Sequence, residues 1–281
     1  MTLALGFFDG VHLGHQAILT GADVALTFEN HPLSVLAPSR APRLIMSWAE
    51  RARAIAALGV NVTALEFNAD LAGWSPEKFL DYLRGFAAAR GWRAGDPLSV
   101  RCGANWRFGR GGAGDAAWLT AHGVHAEVIP YAEYQGAPIS STRIRGELEA
   151  GGIAAAVAML GHSFALVGRR VPGKALGRRL GFPTVNLCLR PDAPRLRFGV
   201  YEIVADGVKA VANFGVAPTC GEEAWNEPVL EIHFPPDWSD THRGMMNVEF
   251  RRFIRPERKF ASVAELQAAI AADVATVFGD V

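Results

Sequence analysis

The chain has 281 residues, of which half are apolar and a fifth charged, with 28 Lys and Arg against 28 Asp and Glu. That composition suits one or two folded domains with sizeable cores, and zero net charge without a basic stripe argues against a nucleic-acid partner. The apolar runs fall short of the ~18 residues that cross a bilayer, and the first residues lack the pattern of a secretory signal, so a cytoplasmic protein without a membrane partner is expected.

Up to about residue 160 the chain alternates short apolar runs with helical patterns. Runs 3–8, 24–29, 60–67, 98–102 and 124–129 predict buried strands. Segment 47–59 starts on Ser and stops on Gly, and segment 75–91 has Ser75 to cap it, Pro76 at its first turn and Gly91 past its end. In the latter, Phe79, Leu80, Leu83, Phe86 and Ala87 fall on one helical face. This alternation predicts a parallel α/β sheet covered on both faces, with ligands bound beyond the carboxyl ends of its strands. A helix over 151–161 then leads into different grammar. Runs 164–171, 200–205, 208–214, 229–234 and 246–253 are β-rich with no helices between them, and Asp206-Gly207 is a hairpin pair. A last helix opens on Ser262-x-x-Glu265, a capping box. An antiparallel β-barrel or sandwich with a C-terminal helix is expected. Cys102, Cys188 and Cys220 lack disulfide or zinc spacing, as in a reducing compartment.

Three stretches carry chemistry. The first is GFFDGVHLGHQ (6–16), where the first strand should end near Phe8 and a helix begin between Val11 and Leu13. Free N–H groups at a helix start attract phosphate, Gly10 and Gly14 allow close approach, and two histidines three apart share a face. An ordinary turn with surface histidines and a metal site short of a third ligand are the competing readings. The second is ISSTRIR (139–145), where Ser140, Ser141 and Thr142 open a helix carrying Arg143 and Arg145. Such a group is either a plain N-cap or a phosphate clamp. The third is GKALGRRLGFPTVNL (173–187). Its Gly173, Gly177 and Gly181, interleaved with Lys174 and Arg178, suit a loop over phosphates without P-loop spacing. Beyond Pro183, Thr184 and Asn186 project to one side, offering hard oxygens for Mg²⁺.

Taken together, GFFDGVHLGHQ, TFENHPLSVL (27–36), APRLIMSWAERARAIAALGV (41–60), SPEKFLDYL (75–83), NWRFGRGGAGD (105–115) and ISSTRIR resemble the adenylylating module of bacterial FAD synthetases, H-x-G-H nucleotidyltransferases with a Rossmann-like fold. RLGFPTVNL (179–187), FGVYEIVA (198–205), VANFGVAPT (211–219), VLEIHF (229–234) and 248–274 are similar to the riboflavin kinase module that follows it in those bifunctional enzymes. The resemblance implies an adenylyltransferase over 1–158 and a kinase over 159–281. It implies two reactions: riboflavin to FMN, then FMN to FAD with release of pyrophosphate, each using ATP and Mg²⁺.

The same resemblance implies that His12, His15 and Gly14 bind ATP phosphates, with Asp9 in the same turn. It sets Asn105 near the reacting phosphate and makes Ser141, Thr142 and Arg145, with Arg143 beside them, the triphosphate clamp. Phe28, His31 and Pro32 would lie by the flavin or adenine, although a His-Pro at a strand exit can also simply cap a loop. Trp106 and Phe108 are either stacking partners or core. In the second half Thr184 and Asn186 would bind Mg–ATP, and Glu231 would be the general base on the ribityl 5′-hydroxyl. Without the resemblance, Glu231 reads as an outward strand carboxylate. Two departures stand out: only ten residues separate Gln16 from Thr27, and Pro172 and Leu176 replace the usual residues before two loop glycines. A protein with kinase activity alone, or a non-catalytic flavin or nucleotide sensor, are the rival expectations.

Overall fold

The computed structural model describes residues 1–172, 182–216, 228–235, 237–239 and 244–279, and it divides into two compact units, Met1–Ser141 and Thr142–Val281. The first unit is built on a parallel sheet of β1 (Thr2–Leu5), β2 (Val24–Phe28), β3 (Asn61–Leu65), β4 (Ser99–Gly103) and β5 (His125–Ile129), in the order β3-β2-β1-β4-β5. Its helices are α1 (Leu13–Leu19), α2 (Leu33–Leu36), α3 (Trp48–Ala57), α4 (Ala69–Ala72), α5 (Pro76–Ala88) and α6 (Ala116–Ala121). The pleat of β1 explains why both faces are covered. Leu3 and Leu5 join the cluster holding Phe79, Leu80, Leu83 and Phe86 of α5, while Ala4 between them joins Ile18, Leu19 and Ile55 of α1 and α3. Each buried Leu, Ile or Phe side chain among these contributes about 1.5–3 kcal/mol.

Chain direction across the sheet reverses at β1 and β4, so the turn leaving β1 and the turn leaving β4 open a crevice beyond their carboxyl ends. The short crossover is sufficient. Seven residues of α1 rise about 10 Å, comparable with the roughly 13 Å of a four-residue strand, and Ile18 and Leu19 are buried. Its end is tethered from two sides. The Asp23 carboxylate accepts from Thr2 N at 2.7 Å, and the Arg101 guanidinium donates to the Thr20 carbonyl and, at 3.3 Å, to Ala17.

The predicted caps form. Ser47 and Glu50 make a reciprocal capping box, and Ser75 accepts from Lys78 N with Pro76 at the first position. A small hairpin of β6 (Glu133–Tyr134) and β7 (Ala137–Pro138), absent from the sequence reading, turns on Gln135 and Gly136, both at positive φ. It is too short for a period-2 pattern to register.

The second unit opens with α7 (Ser141–Ala150, which starts on the last residue of the first unit) and α8 (Ile153–Leu160). It continues as a closed barrel of β8 (Phe164–Val171), β9 (Thr184–Leu189), β10 (Gly199–Ala205), β11 (Val208–Val216), β12 (Pro228–His233) and β13 (Met245–Pro256), followed by α9 (Val263–Phe278). The order is β10-β11-β12-β9-β8-β13. Closure removes the unpaired edges that a sandwich would leave. Asp206-Gly207 makes the expected two-residue hairpin, with φ of 46° and 86°. At α9, Ser262 accepts from Glu265 N, but Glu265 reaches back one residue further than a capping box, to Ala261 N at 3.0 Å. The Arg255 guanidinium grips the buried Asp273 carboxylate at 2.8 and 2.6 Å, which ties α9 to β13.

Candidate active sites

The turn after β1 differs from its sequence expectation in one respect: the strand ends at Leu5, not near Phe8. Phe8, Gly10 and Val11 have φ of 58°, 82° and 40°, values incompatible with a continuing strand. A β-branched residue at positive φ is strained, by the order of 1–3 kcal/mol, and the surroundings hold it there. Val11 N donates to Phe8 O at 3.0 Å, Gln16 Nε2 to Val11 O at 2.9 Å, and Ser141 Oγ to Asp9 O at 2.9 Å. The Asp9 carboxylate points inward and accepts from Ile45 N and Met46 N at 3.2 and 3.1 Å, so it braces the loop before α3.

His12 caps α1 with its ring. Nδ1 accepts from His15 N at 3.3 Å, which leaves the ring proton on Nε2. The rings of His12 and His15 stack at 3.5 Å and 17°. Gly14 makes this possible, because a Cβ there would stand 3.2 and 3.3 Å from two atoms of the His12 ring. Burial holds the His15 imidazole well below its usual range, helped by His12 and by Arg51. Its Nδ1 is enclosed and has no hydrogen-bond partner among the described residues. His15, held neutral, and His12 through its Nε2–H therefore offer ring N–H groups fit to donate to phosphate oxygens.

Beside the turn lies a cavity of about 340 Å³ lined by Phe7, Phe28, Pro32, Asn105, Trp106 and others. It brings together Phe28, Pro32 and Asn105, three of the residues singled out from sequence. His31 is close by: its ring meets Phe7 edge-on at 4.7 Å, and its Nδ1 accepts from Leu33 N at 3.1 Å, so it also caps its own loop. The two aromatics after β4 separate. Phe108 is buried in the core against Phe79 and Trp118, while Trp106 stacks on Phe108 and lines the cavity.

Arg51 escaped the sequence reading. It is fully buried on α3, donates to the Phe28 and Glu29 carbonyls and lies 4.0 Å over the Phe7 ring. Burial pulls its guanidinium down to about 10, against the opposing pull of Asp9, and leaves it charged at neutral pH. One signal was available: Arg51 is four residues before Ile55, on the face that packs on the sheet.

Ser140, Ser141 and Thr142 do stand at a helix start, and Arg145 donates to the Thr142 hydroxyl at 3.2 Å within α7. Arg143 is on the same helix.

In the barrel, Asn186 on β9 pairs with Glu231 on β12, and Thr184 with His233. Direct cross-strand partners share a face with Cβ atoms about 4.5–5.5 Å apart. Thr184, Asn186 and Glu231 therefore stand together, and Asn213 of β11, the other partner of Glu231, extends the row. The opposite face carries the buried Val185, Leu187, Leu230 and Ile232. Two neutral oxygen ligands beside one carboxylate suit Mg²⁺ carried by nucleotide phosphates. Among the described residues no group of three or more His, Cys, Asp or Glu could hold a metal alone. Gly173, Lys174, Gly177, Arg178 and Gly181 lie outside the described residues, as does Cys220. Cys102 and Cys188 are free thiols, and burial raises Cys102 to about 11.

The FAD synthetase family profile matches residues 1–143, and the riboflavin kinase profile matches residues 160–278. The bifunctional riboflavin kinase/FMN adenylyltransferase of Escherichia coli K12 is 34% identical over 98% of this chain and 90% of its own length. The proteins of the same description from Pseudomonas fluorescens and Bacillus subtilis are 32% and 29% identical, each over 96% of this chain and 90% and 89% of theirs. A crystal structure of a Streptococcus pneumoniae protein described as a macrolide-efflux protein superposes with a TM-score of 0.84 at 26% identity, covering 100% of this chain and 94% of that one. Among the described residues no helix is long and apolar enough to cross a membrane.

Proposed function

The chain belongs to the bifunctional riboflavin kinase/FMN adenylyltransferase family, and from that premise we propose how its own residues divide the two reactions. It phosphorylates riboflavin with ATP to give FMN and transfers AMP from a second ATP to FMN, giving FAD and pyrophosphate. Residues 1–158 form the adenylyltransferase and 159–281 the kinase. The observation that carries this division is that each unit holds a constellation of its own, stacked imidazoles in the first and a Thr–Asn–Glu row in the second.

In adenylyl transfer, an oxygen of the FMN phosphate attacks the α-phosphorus of ATP. His12 and His15 donate ring N–H groups to the oxygens on which charge develops, and losing one such donor costs about 10²–10³-fold. The cavity at Phe28, Pro32, Trp106 and Asn105 accommodates the flavin ring, with Trp106 as its aromatic wall. His31 closes that side, and Gly14 and Asp9 shape the turn; by the family resemblance Ser141, Thr142, Arg143 and Arg145 bind triphosphate.

In phosphoryl transfer, Glu231 takes the proton from the riboflavin 5′-hydroxyl as it attacks the γ-phosphorus, a role worth about 10²–10⁴-fold. Thr184 and Asn186 would hold Mg²⁺ through their oxygens, and the ion would supply neutralising charge to the nucleotide phosphates. Gly173, Lys174, Gly177, Arg178 and Gly181 supply further phosphate contacts. A cytoplasmic location is part of this reading, supported by the free Cys102 and Cys188.

Chromatography of products from riboflavin and Mg–ATP, and separately from FMN and Mg–ATP, tests the division with Glu231→Gln. FMN formation drops by at least ~10²-fold while FAD formation from supplied FMN continues. Loss of both together would contradict independent sites.

A further inference from the structure

We infer that His233 is a positioning residue of the kinase site, holding the Pro183 carbonyl so that the Thr184 hydroxyl stands beside Asn186. This rests on the assignment of Thr184 and Asn186 to the metal–nucleotide complex made above.

The Thr184–His233 pair is the last rung of the β9–β12 ladder. One residue earlier, at Pro183, the backbone leaves the register, and a side chain supplies the donor. The His233 ring nitrogen Nδ1 lies 3.0 Å from Pro183 O. A carbonyl oxygen only accepts, so Nδ1 carries the proton. The edge of the same ring meets Phe182 at 5.5 Å and 76°. One imidazole therefore grips two consecutive residues immediately before a proposed ligand.

The geometry matters because the Pro183–Thr184 peptide is one rigid plane. Proline fixes φ on one side of it, and the carbonyl bond to His233 restrains its rotation. Where that plane points decides where Thr184 Cα, and with it the side chain, projects. A two-oxygen arrangement for a cation with strict octahedral demands tolerates little displacement. Asn186 needs no such help, because it sits within the ladder, paired on both sides with Val171 and Glu231. Thr184 stands at the end of β9, where strands fray. Removing a histidine that merely closes a strand end would leave metal–nucleotide binding unchanged.

Two substitutions separate the hydrogen bond from the ring. His233→Asn keeps an N–H donor near the place of Nδ1, and His233→Phe keeps the ring against Phe182 without the donor. Binding of Mn²⁺–ADP to the full chain is followed calorimetrically, and the Mg²⁺ dependence of riboflavin phosphorylation is measured alongside. His233→Phe is expected to weaken Mn²⁺–ADP binding about fivefold or more, the loss of one restraining hydrogen bond, and to raise the Mg²⁺ needed for half-maximal rate. Riboflavin KM and FAD formation from FMN stay unchanged, and His233→Asn stays close to the wild type. Thr184→Ala is the reference. If it weakens Mn²⁺–ADP binding and His233→Phe does not, the positioning role is overturned. Equal loss in His233→Asn and His233→Phe also overturns it, because an N–H donor returned to the place of Nδ1 would then restore nothing. Unchanged binding in Thr184→Ala would instead remove the metal assignment on which the inference rests.

Discussion

Gly14→Ala is expected to leave the fold as stable as before while damaging one of the two reactions. Gly14 is at the second position of α1, and its φ is not in the left-handed region, so alanine suits the backbone. The helix itself gains about 0.8–1 kcal/mol from the replacement. The new Cβ, however, would sit 3.2 Å from Cε1 and 3.3 Å from Nδ1 of His12, closer than ordinary van der Waals contact. The ring gives way by a few tenths of an ångström and loosens both its cap on His15 N and its stack on His15. Weakening an N-cap costs about 0.5–2 kcal/mol, so the two effects nearly cancel and the melting temperature hardly moves. Catalysis does not cancel, because a displaced donor in a phosphate site costs on the order of 10–10²-fold. The assay compares FAD formed from FMN with FMN formed from riboflavin in the same preparation, with thermal unfolding alongside. A fall in kcat for FAD alone, at an unchanged melting temperature, is the expected outcome. A rise in the KM for ATP with kcat preserved would mean that Gly14 serves phosphate approach instead. FAD formation indistinguishable from the wild type would refute the claim that the imidazole needs the space.

Arg51→Met removes a buried cation from beneath Phe7, frees two carbonyls at the end of β2 and takes the attraction of that cation from Asp9. The first unit should lose about 3–5 kcal/mol, read as a fall of roughly 10 °C in its melting transition. Arg51→Lys recovers only part of this because an ammonium cannot lie flat on the ring while bridging two carbonyls; a wild-type melting curve for Arg51→Met would sink the idea. The lowered folded-state pKa of His15 implies that the unfolded chain binds its proton first as the pH falls. Stability from this group is therefore present above about pH 6.5 and lost progressively below it. His15→Asn should flatten the decline in melting temperature between neutral pH and about pH 5.5, and an equally steep decline in the variant would speak against it.

How much was legible follows from range. The parallel sheet, the capped helices and the Asp206-Gly207 hairpin were readable because caps, turn pairs and apolar periodicity act over a few residues. Strand β9 was read only as an extended stretch because its partners on β12 lie more than forty positions away. The turn after β1 was misjudged by three residues because positive φ at Phe8 and Val11 leaves no mark on residue type.

Sequence alone determined the two-part organisation, the family and the candidate residues, since order and spacing of motifs are properties of the chain. It left the histidines open between turn, metal and phosphate readings, and Glu231 open between a base and an outward strand carboxylate. Tertiary structure decided what surrounds each group. It put Arg51 beneath Phe7 and near His15, turned the Asp9 carboxylate inward, sent Phe108 to the core and left Trp106 at the cavity. It also set Glu231 on a rung with Asn186. The physical reason is that protonation state and ligand geometry depend on burial and on partners distant in the chain, which only packing brings together.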